Sequence, residues 1–428
     1  MLSNIFRKSF GEYILIIIIA ILILSTYYIL MEYFSQMQKA QQIQQIQQTE
    51  SMACVNYSKP TWGRNTCGYL MSDTIQDELT NGGFVKSDND WSVYFPCAYD
   101  EIAKEVNQMP VVNGGKYFIL ENCDIIVAKE LLWKYVVEYH GIEKAQTLLP
   151  NSYILYEDDD VNRFKNEFDI LPNKMYIMKK NIQRQEGLKI SNDKNTIVNG
   201  FKDPTDGGYV LAQELLQDPY TISGRKTNMR FYVLVVCKGD DMTVFVYNDG
   251  FMYYTREPFE KGTMDSDRNI TTGYIDRQVY VDNPLTHGDL RTYLDDPNRN
   301  NLNYSETQFK NQGFRLSEIY FNRIYGLIRD VFLAFVGKLS GPKANRKFND
   351  TNVMFQIFGV DVAVNDKLSP MIMEVNKGPD LGAKDDRDSE LKHGVVKDTF
   401  KVVGLVGCED FTKTNFIKVL DVSNGSIN

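Results

Sequence analysis

Phe355-Gln356-Ile357-Phe358-Gly359-Val360-Asp361-Val362-Ala363-Val364 is followed by Asn365-Asp366-Lys367-Leu368-Ser369, and then by Pro370-Met371-Ile372-Met373-Glu374-Val375-Asn376. The outer pieces are rich in Val, Ile and Phe, which fit a pleated surface, and the middle piece carries the Asn, Asp and Ser of a turn. The stretch reads as a β-hairpin. A turn centred on Lys367 and Leu368 sets Asp361 opposite Glu374. The two-residue period puts Glu374 and Asn376 on one face. Three oxygen-bearing side chains then converge on an apolar sheet. Oxygen ligands on one rigid face suit Mg²⁺, which keeps several waters and takes its remaining ligands from substrate phosphates. The competing reading is an acidic face turned to solvent. Asp and Asn disfavour strands, which counts against it.

Upstream, Met175-Tyr176-Ile177-Met178-Lys179-Lys180 reads as a strand with Ile177 and Lys179 on one face. The polar loop after it contains Gln185-Glu186-Gly187-Leu188. A lysine closing a strand beside a Gly loop suits polyphosphate, though a surface lysine on an edge strand reads equally well. Tyr209-Val210-Leu211-Ala212-Gln213-Glu214-Leu215-Leu216 is an apolar strand that ends in a polar hinge before Pro219. In Gly224-Arg225-Lys226-Thr227-Asn228-Met229-Arg230-Phe231-Tyr232-Val233, Lys226, Asn228 and Arg230 share one face, while Met229, Phe231 and Val233 face the core. Two cations and an amide in a row form an anion-facing stripe. Surface acids are the alternative partners for Lys226 and Arg230. Asp240-Asp241 and Asn248-Asp249-Gly250 bound the next strand, residues 243–247.

The whole chain agrees with this picture and excludes several others. Its 428 residues, 43% hydrophobic and 24% charged, leave room for two or three subdomains and fit neither a disordered chain nor a polytopic membrane protein. A formal charge of −9 argues against a nucleic-acid partner. His140, His287 and His393 lie too far apart in sequence for a histidine-built zinc site. No C-x-x-C pair occurs, which removes zinc ribbons and thioredoxin-type chemistry. Cys54, Cys67, Cys97 and Cys123 either pair in an oxidising compartment or remain thiols. The triplets Asp88-Asn89-Asp90, Asp158-Asp159-Asp160 and Asp265-Ser266-Asp267 read as solvated loops.

The first fifty residues are different. Residues 13–31 carry no charge and would span roughly 28 Å as a helix, about one hydrocarbon core. Tyr27, Tyr28, Met31 and Glu32 follow the apolar run where a cleavage site would need small residues, so an uncleaved single-pass membrane anchor is expected. Arg7, Lys8 and the N-terminal amine outweigh Glu12 and the distant Lys39, which favours a cytosolic N-terminus with the bulk across the membrane. The Gln-rich residues 36–48 read as a solvated stalk. Met37, Ala40, Ile43 and Ile46 recur every third residue and offer a self-association seam as the second reading. Residues 52–148 read as a small α/β unit with an amphipathic helix over 124–139, Ile125, Leu131, Leu132, Val136 and Tyr139 inward.

In order and wording, these motifs resemble the tubulin–tyrosine ligase-like family of ATP-grasp ligases over residues 149–405. Leu149-Pro150-Asn151-Ser152-Tyr153 is similar to its L-P-x-T-Y. Tyr176-Ile177-Met178-Lys179 is similar to W-I-x-K, and Ala212-Gln213-Glu214-Leu215-Leu216 to the hinge V-Q-x-Y-I. Arg225-Lys226-Thr227-Asn228-Met229-Arg230 is similar to R-K-F-D-x-R, and residues 355–379 to F-x-x-F-G-x-D followed by E-V-N-x-x-P. The resemblance implies an α/β (α+β) ATP-grasp fold of two lobes, with an N-terminal α/β subdomain and a preceding transmembrane helix. It implies ATP and Mg²⁺ as cofactors. Lys179, Gly187, Gln213, Glu214, Leu216, Lys226 and Asn228 would bind nucleotide. Lys226 and Arg230 would act in catalysis, and Asp361, Glu374 and Asn376 would hold metal. The implied reaction joins an amino acid to a protein or peptide carboxylate through an acyl phosphate. The partition expected is a tail (1–12), anchor (13–31), stalk (32–51), N-terminal subdomain (52–148), ligase core (149–407) and C-terminal tail (408–428).

The sequence departs from the family where Asn228 replaces an Asp, where Tyr253 stands for an Arg, where Asn269-Ile270-Thr271-Thr272 stands for H-L-T-N, and in having one loop glycine. These departures keep a nucleotide-binding pseudo-enzyme open as an alternative. An anchor, a stalk and D-x-D triplets keep a membrane-anchored glycosyltransferase open too, although such an enzyme would not need the Glu374/Asn376 hairpin.

Overall fold

A computed structural model describes residues 60–65, 70–97, 102–171, 174–182, 187–202, 208–273, 275–339, 347–406, 411–423 and 425–427. Residues 13–31, the Gln-rich stalk, Cys54, Cys67 and Gln185-Glu186 lie outside these. No helix among the described residues is long and apolar enough to cross a membrane. The expected transmembrane helix, the membrane as a partner and the single-pass membrane localisation are corrected accordingly: nothing among the described residues supports them, and they are not carried further. The longest described helix, Leu316–Leu333, carries Glu318, Arg323, Arg329 and Asp330 and spends its apolar stripe on the sheet.

The strands are β1 (Thr61–Gly63), β2 (Val85–Lys86), β3 (Val93–Tyr94), β4 (Lys116–Tyr117), β5 (Ser152–Ile154), β6 (Tyr176–Lys179), β7 (Leu188–Ser191) and β8 (Leu211–Glu214). They continue with β9 (Thr221–Ile222), β10 (Arg225–Lys238), β11 (Asp241–Thr255), β12 (Thr271–Thr272), β13 (Val353–Val364), β14 (Pro370–Asn376), β15 (Phe416–Ser423) and β16 (Ser426–Ile427). Twelve form one sheet whose main path is β16-β15-β11-β10-β13-β4-β3-β1-β2, with β14 beside β13. The other four form an antiparallel sheet, β5-β8-β6-β7. The fold is thus mixed α/β, and strands of residues 61–117 continue the large sheet through β4 and β13.

The alternation in β10 explains the layers. Met229, Phe231, Val233 and Val235 pack with Tyr320, Ile324, Ile328 and Phe332 of helix Leu316–Leu333. Tyr232, Leu234 and Val236 pack with Val395, Val396 and Phe400 of helix Asp386–Val402, and with Ile75 and Leu79 of helix Asp73–Asn81. Helical spacing of three and four residues supplies each apolar stripe. On the small sheet, Tyr153, Tyr176 and Met178 pack with Phe164 and Phe168 of helix Asp158–Ile170. Asp158, Asp159 and Asp160 form that helix's first turn, where acids complement the helix dipole, so they are not a solvated loop.

Two local readings change. Asn248-Asp249 does not end a strand, because β11 runs through it as a bulge, pairing shifting between Phe231↔Gly250 and Val233↔Val246. Asp249 accepts the Gly250 and Gly288 amides there, at 2.8 and 3.1 Å, which satisfies backbone donors at the irregularity. The helix expected over 124–139 breaks at Ala128 into Asp124–Val127 and Lys129–His140. Leu132, Trp133 and Val136 then face inward and Tyr139 is exposed.

Candidate active site

The hairpin delivers the expected pairing by a different route. Val364 pairs with Pro370 and Ala363 with Met371, which centres the turn on Lys367. The Asn365 carboxamide oxygen accepts the Lys367 and Ser369 amides and holds it. A regular ladder from this turn would set Asp361 opposite Met373. A bulge between Asp361 and Val362 adds one residue to β14 and brings Glu374 opposite Asp361 and Asn376 opposite Gly359. The Met373 carbonyl accepts from Lys179 Nζ at 3.3 Å, joining the hairpin to the small sheet.

On β10, Arg230 pairs with Asp361 across the sheet. Its Nε and Nη2 donate to the two Asp361 oxygens at 2.5 and 2.9 Å. Asn376 Nδ2 donates to Glu374 Oε1 at 3.2 Å. Lys226 is buried and donates to the Leu216 carbonyl at 3.3 Å. Between them, Asn228 Oδ1 is buried with no hydrogen-bond partner among the described residues. Asn228 lies directly across from Tyr253 of β11.

From the small sheet, Lys179 donates to Gln213 Oε1 at 2.7 Å, and Gln213 Nε2 donates to Ser152 Oγ at 3.1 Å. A cavity opens beside them, lined by Lys129, Trp133, Ser152, Lys179, Gln213 and Glu374 among others. Lys179, Gln213, Lys226, Arg230, Asp361, Glu374 and Asn376 thus gather between the two sheets. Three expected residues sit at its flank. Gly187 has φ +67° and its carbonyl accepts the Lys180 amide. The Glu214 carboxylate turns to Lys174, 2.8 Å away. Leu216 contributes its carbonyl to Lys226.

Lys129 was missed. It begins the second half of the broken helix, donates to the Ile182 carbonyl at 3.0 Å and lines the cavity with Glu374. Its signal, Val127-Ala128-Lys129-Glu130, is visible only once the helix is known to break at Ala128.

Burial governs the charges. It pushes Lys179 down to about 8 despite the attraction of Glu374. It pushes Lys226 down to about 8, with Lys179 adding repulsion. Asp361 is pushed up to about 6 by burial, against the pull of Arg230 and with repulsion from Glu374. Burial also opposes ionisation of Glu374, but Lys179, Lys129, the Asn376 amide and Arg230 together hold its carboxyl below the ordinary value. Four cations therefore face two carboxylates in a buried cleft, an electrostatic environment that favours a polyanion.

The donor set fits Mg²⁺. Two carboxylates and an amide converge on one face. No cluster of three His, Cys, Asp or Glu able to hold a metal occurs among the described residues, and a set of this size is of the kind that holds Mg²⁺ together with water and substrate phosphate.

Together these features define a mixed α/β protein whose two sheets flank a buried cluster of lysines, an arginine and two carboxylates. Residues 115–411 match the tubulin-tyrosine ligase family, and the chain belongs to it. A probable tubulin polyglutamylase, ttll-9 of Caenorhabditis elegans, is 24% identical over 356 residues, 78% of this chain and 79% of the relative. A probable beta-tubulin polyglutamylase of Tetrahymena thermophila is 24% identical over 262 residues, 60% of this chain and 20% of the relative. The tubulin polyglutamylase TTLL7 of Mus musculus is 24% identical over 213 residues, 49% of this chain and 23% of the relative. The chain thus spans most of the first and about a fifth of each of the other two.

Proposed function

We propose that this chain is an ATP-dependent carboxylate–amine ligase, joining an amino acid to a carboxylate of a protein or peptide, with residues 149–407 as its ligase core. The observation that carries the reading is the buried excess of cations beside the Asp361/Glu374 pair. Relatives named tubulin polyglutamylases support a protein acceptor and an amino-acid co-substrate. When bound, Mg²⁺-ATP would supply the phosphoryl group that activates the acceptor carboxylate as an acyl phosphate.

Asp361, Glu374 and Asn376 would hold the metal, the bulge at Met373 keeping Glu374 opposite Asp361. Lys179, Lys129 and Lys226 would hold phosphate oxygens. Lys179 is aimed by Gln213 and by the Met373 carbonyl, so it is positioned before any ligand arrives. The hinge of Gln213, Glu214 and Leu216 would present backbone groups to the base, and Gly187 would cover the phosphates. Arg230 would stabilise charge on the transferring phosphoryl. Fixed cations in a dry cleft lower the barrier because they need no reorganisation as charge develops. None of these roles requires a histidine nucleophile or base.

The test is ATP turnover by the purified chain with a panel of amino acids and acceptors, beside Glu374→Ala. Turnover should need both co-substrates and vanish in Glu374→Ala with the circular dichroism unchanged. Turnover surviving in Glu374→Ala sinks the metal assignment. Asn228 and Tyr253 favour a second reading, a nucleotide-binding pseudo-enzyme. Tight ATP binding without turnover on any pairing would select it.

A further inference from the structure

Arg230 is held on three sides. Asp361 takes it bidentately at 2.5 and 2.9 Å. The Tyr253 ring lies beside it, 5.3 Å from guanidinium carbon to ring centroid. Gly359 forms the third side, where a Cβ would sit 3.2 Å from Arg230 Cδ and Nη1, so the arginine packs directly on the glycine backbone. Gly273 does the same for the tyrosine, since a Cβ there would sit 3.1 Å from Tyr253 Cε1. Tyr253 pairs with Asn228, so it shares the sheet face with Arg230 and lies diagonal to it. The Tyr253 ring and the two Asp361 hydrogen bonds together hold the guanidinium at the one carboxylate that also faces Glu374.

We propose that Tyr253 is a positioning residue that clamps Arg230 onto Asp361, so that a divalent cation must draw Asp361 away from Arg230 to bind. The inference rests on the metal assignment above and concerns how the chain's own cation competes at that face. The clamp keeps two buried carboxylates from facing each other uncompensated while no metal is present. With Asp361 engaged by a cation, Arg230 would be loosened and would become available to an incoming anion. An aromatic ring is needed for this, because its negative face attracts the guanidinium. The tyrosine hydroxyl is not.

The experiment measures Mn²⁺ binding to the full chain by electron paramagnetic resonance, without nucleotide. Tyr253→Leu should tighten Mn²⁺ binding roughly 3- to 10-fold, the span set by a partly desolvated cation–π contact. Tyr253→Phe should bind as the wild type does. Arg230→Gln should tighten binding by itself, and Tyr253→Leu should add nothing in that background. Unchanged or weaker binding in Tyr253→Leu overturns the inference. So does a Tyr253→Phe variant that behaves like Tyr253→Leu, or a Tyr253 effect that persists without Arg230. Should Tyr253→Leu fail to fold, weaker or unchanged binding in Arg230→Gln overturns it instead. A wild-type chain that binds no Mn²⁺ overturns the metal assignment and this inference together, whereas Mn²⁺ binding without a Tyr253 effect overturns only the inference.

Discussion

Lys226→Met should make the ligand-free protein more stable while abolishing its response to nucleotide. Lys226 is 3% exposed and, among the described residues, meets no carboxylate and donates only to the Leu216 carbonyl at 3.3 Å. Its ammonium titrates at about 8 against an ordinary 10.5. Keeping it charged at neutral pH therefore costs the fold about 3 kcal/mol. Methionine fills similar volume without the charge and forfeits one hydrogen bond of about 1 kcal/mol, so the net gain is about 2 kcal/mol. For a chain of this length that is roughly a 2–3 °C rise in Tm. Thermal melts at pH 7, with and without Mg²⁺-ATP, read both effects. The sign of the pH dependence follows from the depressed value. The folded state binds fewer protons than the unfolded state between pH 8 and 10.5, so the wild type recovers stability as pH rises through that window. The advantage of Lys226→Met should be full below pH 8 and gone near pH 10. A variant that melts lower than wild type at pH 7 refutes the reasoning. So does one that keeps the nucleotide-induced rise in Tm.

His287 is wholly buried between Phe231 and Phe321, and burial, aided by Arg291, holds its pKa well below 6.5. The unfolded chain protonates this histidine first, so stability should fall by about 1.4 kcal/mol per pH unit below 6.5 from this group, and His287→Leu should flatten that part of a Tm-against-pH curve. Glu306 accepts from Arg299 at 2.6 Å and from the Tyr220 hydroxyl at 2.7 Å, all buried. Glu306→Gln should lose about 3–5 kcal/mol in urea unfolding, because it strands a buried guanidinium, and a loss under 1 kcal/mol would show that the network relaxes.

Much of the site was legible because it depends on a two-residue period and on composition. Lys226, Asn228 and Arg230 share a face in any strand, and their neighbours Met229, Phe231 and Val233 could only go to the core. Lys129 was hidden because its place depends on a helix break at Ala128 and on packing between segments far apart in sequence. The lysine pKa values were hidden for the same reason, since burial is a tertiary property and the sequence shows only a cation. The Asp361–Glu374 pairing was reached through two errors that cancel. The turn is centred on Lys367 rather than between Lys367 and Leu368, and Leu368 takes the left-handed φ of 58° that closes it. The bulge then restores the register, and nothing in Met371-Ile372-Met373 announces it.

The same register joins two departures that the sequence presents separately. Asn228 stands where the family has an acid and Tyr253 where it has an Arg, and these two residues are directly opposed across β10 and β11. Removing one of each charge together leaves the net charge of the face unchanged. The excess of buried cations around Lys179 and Lys226 is therefore undisturbed. What differs is local: an amide oxygen without a partner among the described residues and an aromatic ring on Arg230 occupy the place of an acid and a base. A change confined in this way alters how Arg230 is held and what the adjoining surface can recognise. It does not alter the electrostatic case for a polyphosphate in the cleft, which rests on residues that neither substitution touches.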